Sequence, residues 1–269
     1  MKERIVRDAS LVALGFLVFE VFNTAVHILL WPSLVALDFN CVRDSAVRWF
    51  TGGGYFWPHQ LAGPYAIGRD EALYPPVALW LFLPFAVLPS ILWWLIPGAV
   101  VAWSLNRLRP ARWTWPIFAI IAAVPQTWQM IILGNTSMWI IAAGFAGVVS
   151  GWPSVFVVLK PSLFPFALVG SKQRSWWLAL GLLVLASLPF GLLWVDWVKA
   201  TIIYPTDGGF LYSLGYVPVM CAPTVAWLGS SRCTLHLPAF RALANSRHGW
   251  SVQVEPSSAG MTKSSPDDV

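Results

Sequence analysis

The sequence carries little charge and few carboxylates, and these shortages exclude several classes of protein. Only 11% of the 269 residues are charged, whereas a typical soluble domain has about 25%. Asp and Glu are absent between Glu71 and Asp196, so acid–base chemistry must come from Glu20, from the stretch ending at Glu71, or from Asp196 and Asp207. The composition excludes a soluble enzyme, a disordered scaffold and a nucleic-acid reader.

Motifs for metal binding, nucleotide binding and disulfide formation are also missing. The four histidines lie far apart, and the sequence contains no HExxH, DxD, P-loop or GxSxG pattern. Three cysteines, Cys41, Cys221 and Cys233, are unevenly spaced and form no CxxC pair. We therefore expect neither a disulfide framework nor a metal site, and no metal or organic cofactor.

Apolar residues, by contrast, are abundant and occur in long stretches. The chain is 57% hydrophobic with a mean hydropathy of +0.65, and Lys and Arg occur in small groups between the apolar stretches. Eighteen Trp and six Tyr fit a chain that meets many membrane–water interfaces. We predict an all-α membrane protein, a polytopic bundle of about seven to nine transmembrane or re-entrant helices. The membrane domain is predicted at residues 1–229, with outer loops at about 38–74 and 194–211, and residues 230–269 form a polar tail typical of disorder.

The basic residues predict the topology. The first span is predicted from about Ala9 to Leu37 and is preceded by Lys2, Arg4 and Arg7. We therefore expect the N-terminus on the cytoplasmic side of a plasma membrane. Residues 75–105 allow either a hairpin of two half-length helices or an interfacial helix followed by a span from about Ser90. We favour the second interpretation because it places the next arginines in the cytoplasm. Further spans are predicted at Trp113–Leu133, Ser137–Val149, Trp176–Leu193 and Tyr212–Leu228, with a re-entrant pair of half helices at Pro153–Gly170.

Two ionisable residues stand out as candidates for chemistry. Asp38 lies where the first span meets the outer interface, so a raised pKa would suit it to be a general base; the alternative is a solvated acid that marks the end of a helix. Lys160 precedes Pro161 in an apolar segment. Burying an ammonium group in a membrane costs free energy. Lys160 therefore either faces a cavity with an anionic partner such as phosphate, or extends its ammonium group to the membrane interface.

Further polar residues have more than one interpretation. Glu20, Asn23, Thr24 and His27 share one face of the first span, and interhelical hydrogen bonding is favoured over a role in substrate binding. Three arginines of the first predicted loop are candidates for binding a phosphate through two hydrogen bonds each, namely Arg43, Arg48 and Arg69. The alternative is that these arginines are solvated, and the sequence does not choose among the three.

The order of these features resembles glycosyltransferase family 87, the polyprenyl-phosphate-mannose-dependent mannosyltransferases of the GT-C fold. The resemblance covers roughly residues 9–212. The motifs that carry it are Asp38-Phe39, Gly52-Gly53-Gly54-Tyr55, Tyr74-Pro75-Pro76, Leu83-Pro84-Phe85, Leu88-Pro89, Gly134-Asn135 and Lys160-Pro161.

The resemblance implies an inverting sugar transfer at the outer face of the membrane. The donor would be a polyprenyl-phosphate sugar, with mannose expected, and the acceptor a lipid-linked or cell-envelope glycan. Asp38 maps onto the family's catalytic base, and Lys160 is the first choice for stabilising the departing phosphate without a metal. The residues expected to bind substrate are Arg43, Arg48, Arg69, Tyr74, Asn135 and Lys160.

The sequence departs from the family pattern in two respects. The family usually has Gly-Gln-x-Asn after the central span, where this chain has Gly134-Asn135-Thr136-Ser137. The chain is also shorter than the family pattern, so we expect a minimal catalytic module, a fragment, or a degenerate copy that has lost activity. The alternatives to a transferase are an inactive relative, a membrane partner of a full-length enzyme, or a lipid or glycan transporter.

Overall fold

The fold is all-α in the computed structural model, which describes residues 2–68, 71–207 and 214–230, with side chains from residue 7 onward. No strand forms in these ranges, and the one extended pairing is an isolated bridge between Tyr65 and Pro205. The α-helices are α1 Lys2–Leu30, α2 Leu37–Phe50, α3 Pro58–Ala62, α4 Leu79–Phe82, α5 Leu92–Leu108, α6 Thr114–Ala123, α7 Pro125–Leu133, α8 Ser137–Ser150, α9 Arg174–Ser187, α10 Leu193–Val198, α11 Val217–Met220 and α12 Ala222–Leu228. Short 3-10 helices occur at Pro32–Leu34, Pro76–Ala78, Leu83–Ala86, Trp152–Leu159, Pro161–Gly170 and Leu188–Phe190, and a π-helix at Lys199–Ile203.

One described helix is long and apolar enough to cross a membrane. It is the Arg7–Leu30 part of α1, with 24 residues and a hydropathy of 1.9. The number rises to three if each of two bent pairs counts as one span. Helices α6 and α7 meet at 63°, and the Arg174–Phe190 and Leu193–Ile203 segments meet at 99°. The larger number of crossings expected from the sequence stays a prediction.

The first helix ends earlier than the sequence analysis expected. It stops at Leu30 rather than at Leu37, and Pro32 begins a 3-10 turn instead. The residue before a proline is pushed out of the helical region, and Trp31 is accordingly non-helical, with φ −132° and ψ 66°. Asp38 therefore lies in the first turn of a second helix and not at the mouth of the first.

The two predicted outer loops also contain helices. Residues 38–74 include α2 and α3, and residues 194–211 include most of α10 and the π-helix. Helix α2 forms because Phe39, Val42 and Ala46 recur at helical spacing and all three are buried. The division of residues 75–105 into a short helical segment and a longer helix from Leu92 is present, close to the predicted start at Ser90.

The interruption predicted at Lys160 is confirmed. Lys160 has non-helical φ and ψ of −123° and 86°, and it separates two 3-10 helices, Trp152–Leu159 and Pro161–Gly170. A proline cannot donate a backbone hydrogen bond, so the helical pattern restarts at Pro161. By contrast, the expected single span Trp113–Leu133 is broken, because Pro125 ends α6 at Ala123 and begins α7.

An aromatic cluster at the centre of the fold places α2, α5 and α8 against each other. The Trp93 ring on α5 has no exposed surface and lies 5.3 Å from the ring of Phe39 on α2 and 5.3 Å from that of Trp139 on α8, between centroids. Phe85 packs edge-on against Trp93 at 4.9 Å. Aromatic pairs of this kind add about 0.5–1.5 kcal/mol each beyond their buried area. The cluster adjoins the candidate site, because Phe39 follows Asp38 in the chain and the Trp93 indole N–H donates to the carbonyl of Gly134, beside Asn135.

Candidate functional site

Asp38 is positioned by the connection that precedes α2. Ala36 adopts a left-handed conformation with φ 63°, and its N–H donates to the Ile132 carbonyl of α7 at 2.8 Å. This bond fastens the start of α2 to the end of α7. The next residue after Asp38, Phe39, is buried in the aromatic cluster. Because successive side chains of a helix differ in direction by about 100°, the Asp38 carboxyl group points elsewhere, toward Asn135 after the end of α7.

Gly134 brings the chain after α7 close to Asp38. Its φ is +67°, in the left-handed region that favours glycine. A Cβ at this position would lie 2.8 Å from the Cβ of Phe39 and 2.8 Å from Cζ2 of Trp94. The Trp93 indole N–H also donates to the Gly134 carbonyl at 2.7 Å. Only glycine is small enough for this close contact between the two chain segments, and the contact places Asn135 beside the Asp38 carboxyl group.

Asn135 connects Asp38 to Lys160 through a chain of hydrogen bonds. Its side-chain N–H donates to Oδ2 of Asp38 at 2.5 Å, and its Oδ1 accepts from Nζ of Lys160 at 3.0 Å. Lys160 also donates to Oγ of Ser137 at 2.6 Å, and the Ser137 N–H donates to Oδ1 of Asn135 at 2.9 Å. We call Asp38, Asn135, Ser137 and Lys160 the Asp38 cluster. The ammonium fixes which way the amide points, so the N–H faces the carboxylate.

Burial and neighbouring aromatic rings affect the two ionisable groups of the Asp38 cluster. Lys160 is 1% exposed, and its Nζ lies 4.7 Å from the Tyr216 ring centroid and 5.8 Å from that of Tyr74, distances that allow cation–π attraction. Burial raises the pKa of the Asp38 carboxyl, while the Asn135 hydrogen bond and the positive charge of Lys160 act to lower it. A carboxyl group whose pKa is raised is a stronger base when ionised.

A cavity of about 680 Å³ opens beside Asp38. Tyr74, Asn135 and Tyr216 contribute to its wall, and the polar face of α1 predicted from the sequence forms one side. All four residues of that face, Glu20, Asn23, Thr24 and His27, line the cavity. A volume between about 300 and 1,000 Å³ is usual for small-molecule sites.

Two further carboxylates line the same cavity, Glu71 in the loop that precedes Tyr74 and Asp207, which contacts that loop. Oε1 of Glu71 lies 2.6 Å from Nε2 of His59, and the Glu71 side chain is 4% exposed. Asp207 accepts the backbone N–H of Ile67 with both carboxylate oxygens at 3.1 Å. Neither carboxylate forms a metal site with its neighbours, since no group of three His, Cys, Asp or Glu side chains in the described ranges could hold an ion.

The arginines predicted to bind phosphate lie elsewhere or outside the described residues. Arg43 pairs with Asp44 at 2.9 Å, and its guanidinium lies over the ring of Phe39 at 5.6 Å. Arg48 donates to the carbonyls of Gly54 and Tyr55, both at 2.7 Å, and stacks 3.7 Å from the Trp57 ring centroid. Neither lines the cavity, and Arg69 falls outside the described residues.

Of the remaining predicted residues, the fold brings Asp38, Tyr74, Asn135 and Lys160 together. Lys160 lies behind Asn135 and does not itself line the cavity. Sequence reasoning missed Ser137 and Tyr216. The polar run Asn135-Thr136-Ser137 at the start of an apolar helix is a signal that could have identified Ser137, whereas Tyr216 reaches Lys160 only through tertiary folding.

An apolar groove of about 900 Å³ is lined in part by α8. Ile140 of α8 and Leu159, the residue before Lys160, both line it, so the groove and the Asp38 cluster share the same two segments. Its walls are almost wholly apolar and include Trp80, Trp103, Trp139 and Trp152.

Comparison of the chain with protein-family models, curated proteins and solved structures finds no match. The function is therefore inferred from the contacts of the Asp38 cluster and from the cavity beside it.

Proposed function

We propose that this chain is an integral membrane glycosyltransferase. It transfers a hexose, mannose by the resemblance to family 87, from a polyprenyl-phosphate donor to a lipid-linked or cell-envelope glycan. The observation that carries the proposal is the Asp38 carboxylate, held by Asn135 at the wall of a cavity of small-molecule size. A carboxylate in this setting is suited to accept a proton from a hydroxyl group.

In the proposed reaction Asp38 acts as the general base. One oxygen of Asp38 is bonded to Asn135, which leaves the other to receive the proton of an acceptor hydroxyl. The acceptor oxygen forms a bond to the anomeric carbon as the bond from that carbon to the phosphate oxygen breaks. Polyprenyl phosphate leaves with the bonding electron pair, and attack from the opposite side inverts the anomeric centre.

Lys160 has a different role from the direct phosphate ligand expected from the sequence. Because it is 1% exposed and bonded to Asn135 and Ser137, it cannot reach into the cavity without breaking both bonds. We propose that it positions Asn135 and stabilises negative charge at a short distance. A preorganised charge in a site shielded from water is effective in this way, because it needs no rearrangement during the reaction.

The apolar groove is suited to the isoprenoid chain of the donor. It adjoins the Asp38 cluster through Ile140 and Leu159, so a chain lying there would place its phosphate end near the cluster. The remaining parts of the proposal are a multi-span plasma-membrane bundle with a cytoplasmic N-terminus and a GT-C-like arrangement. The long apolar helix within α1 and the two bent pairs support it.

The alternative is a non-catalytic glycan-binding protein, either an inactive relative or a partner in lipid-glycan transport. One observation favours it: Lys and Arg are absent from the described residues that line the cavity. A phosphate-bearing donor would need a cation there, whereas a neutral glycan would not.

Transfer of label from polyprenyl-phosphate-mannose in membranes separates the two candidates. The comparison is between wild type, Asp38→Asn and the control Asp44→Asn, with equal membrane insertion verified. Asp44 is on the same helix but is 62% exposed and does not line the cavity. A transferase that uses Asp38 loses activity about 10²–10⁴-fold in Asp38→Asn and keeps it in the control. Transfer that survives Asp38→Asn removes Asp38 as the base, and no transfer by wild type supports the non-catalytic alternative.

A further inference from the structure

The polar residues of α1 are concentrated on the side that faces the cavity. Between Leu11 and Leu30 the helix is apolar except for Glu20, Asn23, Thr24 and His27, and all four line the cavity. Glu20 is 8% exposed. Polar and ionisable groups are costly in a helix of this apolar character unless they face a cavity and serve a function. From Glu20 to His27 the face extends about 10 Å along the helix axis.

Other residues that line the cavity offer groups of the same type. Gln129 and Trp128 of α7 face the cavity, and Trp31 adds an indole ring that is 50% exposed. The Trp128 indole N–H is buried and has no hydrogen-bond partner among the described residues. Buried indole N–H groups usually have a partner, so this one is a donor that a ligand could satisfy.

The chemistry of these side chains matches hydroxyl groups. A hydroxyl both donates and accepts, and the amides, the threonine hydroxyl and the imidazole can each do the same. Indole rings pack against the C–H faces of pyranose rings. Alternating polar groups and aromatic rings along one cavity therefore fit a carbohydrate better than a lipid tail or a peptide.

The charge of the wall restricts which carbohydrate can bind. Four carboxyl groups line the cavity, those of Glu20, Asp38, Glu71 and Asp207, whereas no Lys or Arg does so in the described part of the chain. A sugar with its own carboxylate on the α1 face would be repelled by Glu20, because like charges at close range in a partly buried site interact strongly. The donor phosphate is proposed to approach from the groove instead, where Lys160 supplies a positive charge.

From this arrangement we propose that the α1 face binds the sugar rings of the acceptor and that this part of the acceptor carries no negative charge. The assignment rests on the proposed function, since it places the acceptor beside Asp38, but the binding step can be measured without sugar transfer. The side chains of Asn23 and Thr24 contact the hydroxyl groups, and Glu20 excludes acidic sugars.

The test uses the full chain in lipid nanodiscs and ligand-observed NMR with two probes, a methyl mannobioside and the matching uronate. Thr24→Val removes one hydroxyl from the face with little change of shape. Its matched control is Thr51→Val, at the end of α2, whose hydroxyl donates to the carbonyls of Val47 and Arg48 outside the cavity. We expect the neutral probe to bind, Thr24→Val to weaken binding about three- to tenfold, and Thr51→Val to leave it unchanged.

The uronate tests the charge argument separately. We expect it to bind at least about tenfold more weakly than the neutral probe, and Glu20→Gln to reduce that difference because it removes one of the repelling charges. Equal binding of both probes by wild type would overturn the proposal, as would equal effects of Thr24→Val and Thr51→Val, or failure of the neutral probe to bind. Binding that depends on Thr24 in a protein without transferase activity would retain this inference and refute the proposed function. If wild type transfers sugar and Thr24→Val leaves that transfer unchanged, the proposed function is retained and this inference is refuted.

Discussion

Removing the Asn135 side chain should shift the pH dependence of sugar transfer. In Asn135→Ala the Asp38 carboxylate loses the hydrogen bond at 2.5 Å that favours its ionised form. A hydrogen bond to a charged group contributes about 1.5–3 kcal/mol, and one pKa unit corresponds to about 1.36 kcal/mol. Since Asp38 is only partly buried, solvent compensates for part of the loss, and we expect its pKa to rise with an energy near the low end of that range.

The direction of the effect follows from the proposed role of Asp38 as general base. A general base must be ionised, so activity falls as the pH drops below the pKa of Asp38, and a higher pKa moves this acid limb to higher pH. On the acid limb Asn135→Ala should be about tenfold slower than wild type, with the deficit shrinking as the pH rises. The assay is the pH profile of kcat/KM for transfer from polyprenyl-phosphate-mannose, with Asn40→Ala on α2 as the control, since Asn40 does not line the cavity. A uniform loss at every pH, with the acid limb unmoved, would refute the reasoning.

Three other outcomes follow from the same contacts. The folded state of Asp38→Asn should become more stable than that of wild type as the pH rises above the ordinary pKa of Asp, because burial raises the pKa of Asp38 and its ionisation disfavours the folded state. Thermal unfolding of both proteins at two pH values measures the difference in stability, and the same difference at both pH values would contradict the prediction. Gly134→Ala should lose about 2–5 kcal/mol of unfolding free energy through left-handed strain and overlap with Phe39, and a loss below about 1 kcal/mol would argue against the close approach. Arg48→Ala should reduce the free energy of unfolding by about 2 kcal/mol, because the side chain donates to two backbone carbonyls. Arg43 is exposed, so Arg43→Ala should change it by less than about 1 kcal/mol, and equal losses in the two variants would refute the prediction.

The local features of the fold could be predicted from the sequence. Pro161 identifies the interruption at Lys160, and the apolar stretches identify the helices and the all-α class. Helix α2 was also accessible, because Phe39, Val42 and Ala46 recur at helical spacing. Its polar residues between these positions suggested a loop, and the helical period is the better guide in such a segment. The break at Pro125 was accessible for the same kind of reason, since a proline at that position ends one helix and begins the next.

The partners of the site residues could not be predicted in the same way. Nothing near Asn135 in the sequence indicates that its amide lies between Asp38 and Lys160, because those contacts join residues 97 and 25 positions away. The arginines illustrate the opposite case. Arg48 has the chemistry of a phosphate ligand, but the reversal of the chain after α2 supplies backbone carbonyls that occupy its guanidinium. Which polar group is available to a ligand is decided by tertiary folding.

The wide separation of the Asp38 cluster along the chain has a consequence for how the protein is made. Its members come from α2, from the start of α8 and from the break at Lys160, so the site cannot exist until the third of these segments has left the ribosome and docked. Until then Asn135 and Ser137 lack the donor that Lys160 provides, and contacts between distant segments form late in folding. Newly synthesised chains would therefore complete the Asp38 cluster only after the helices around it have assembled.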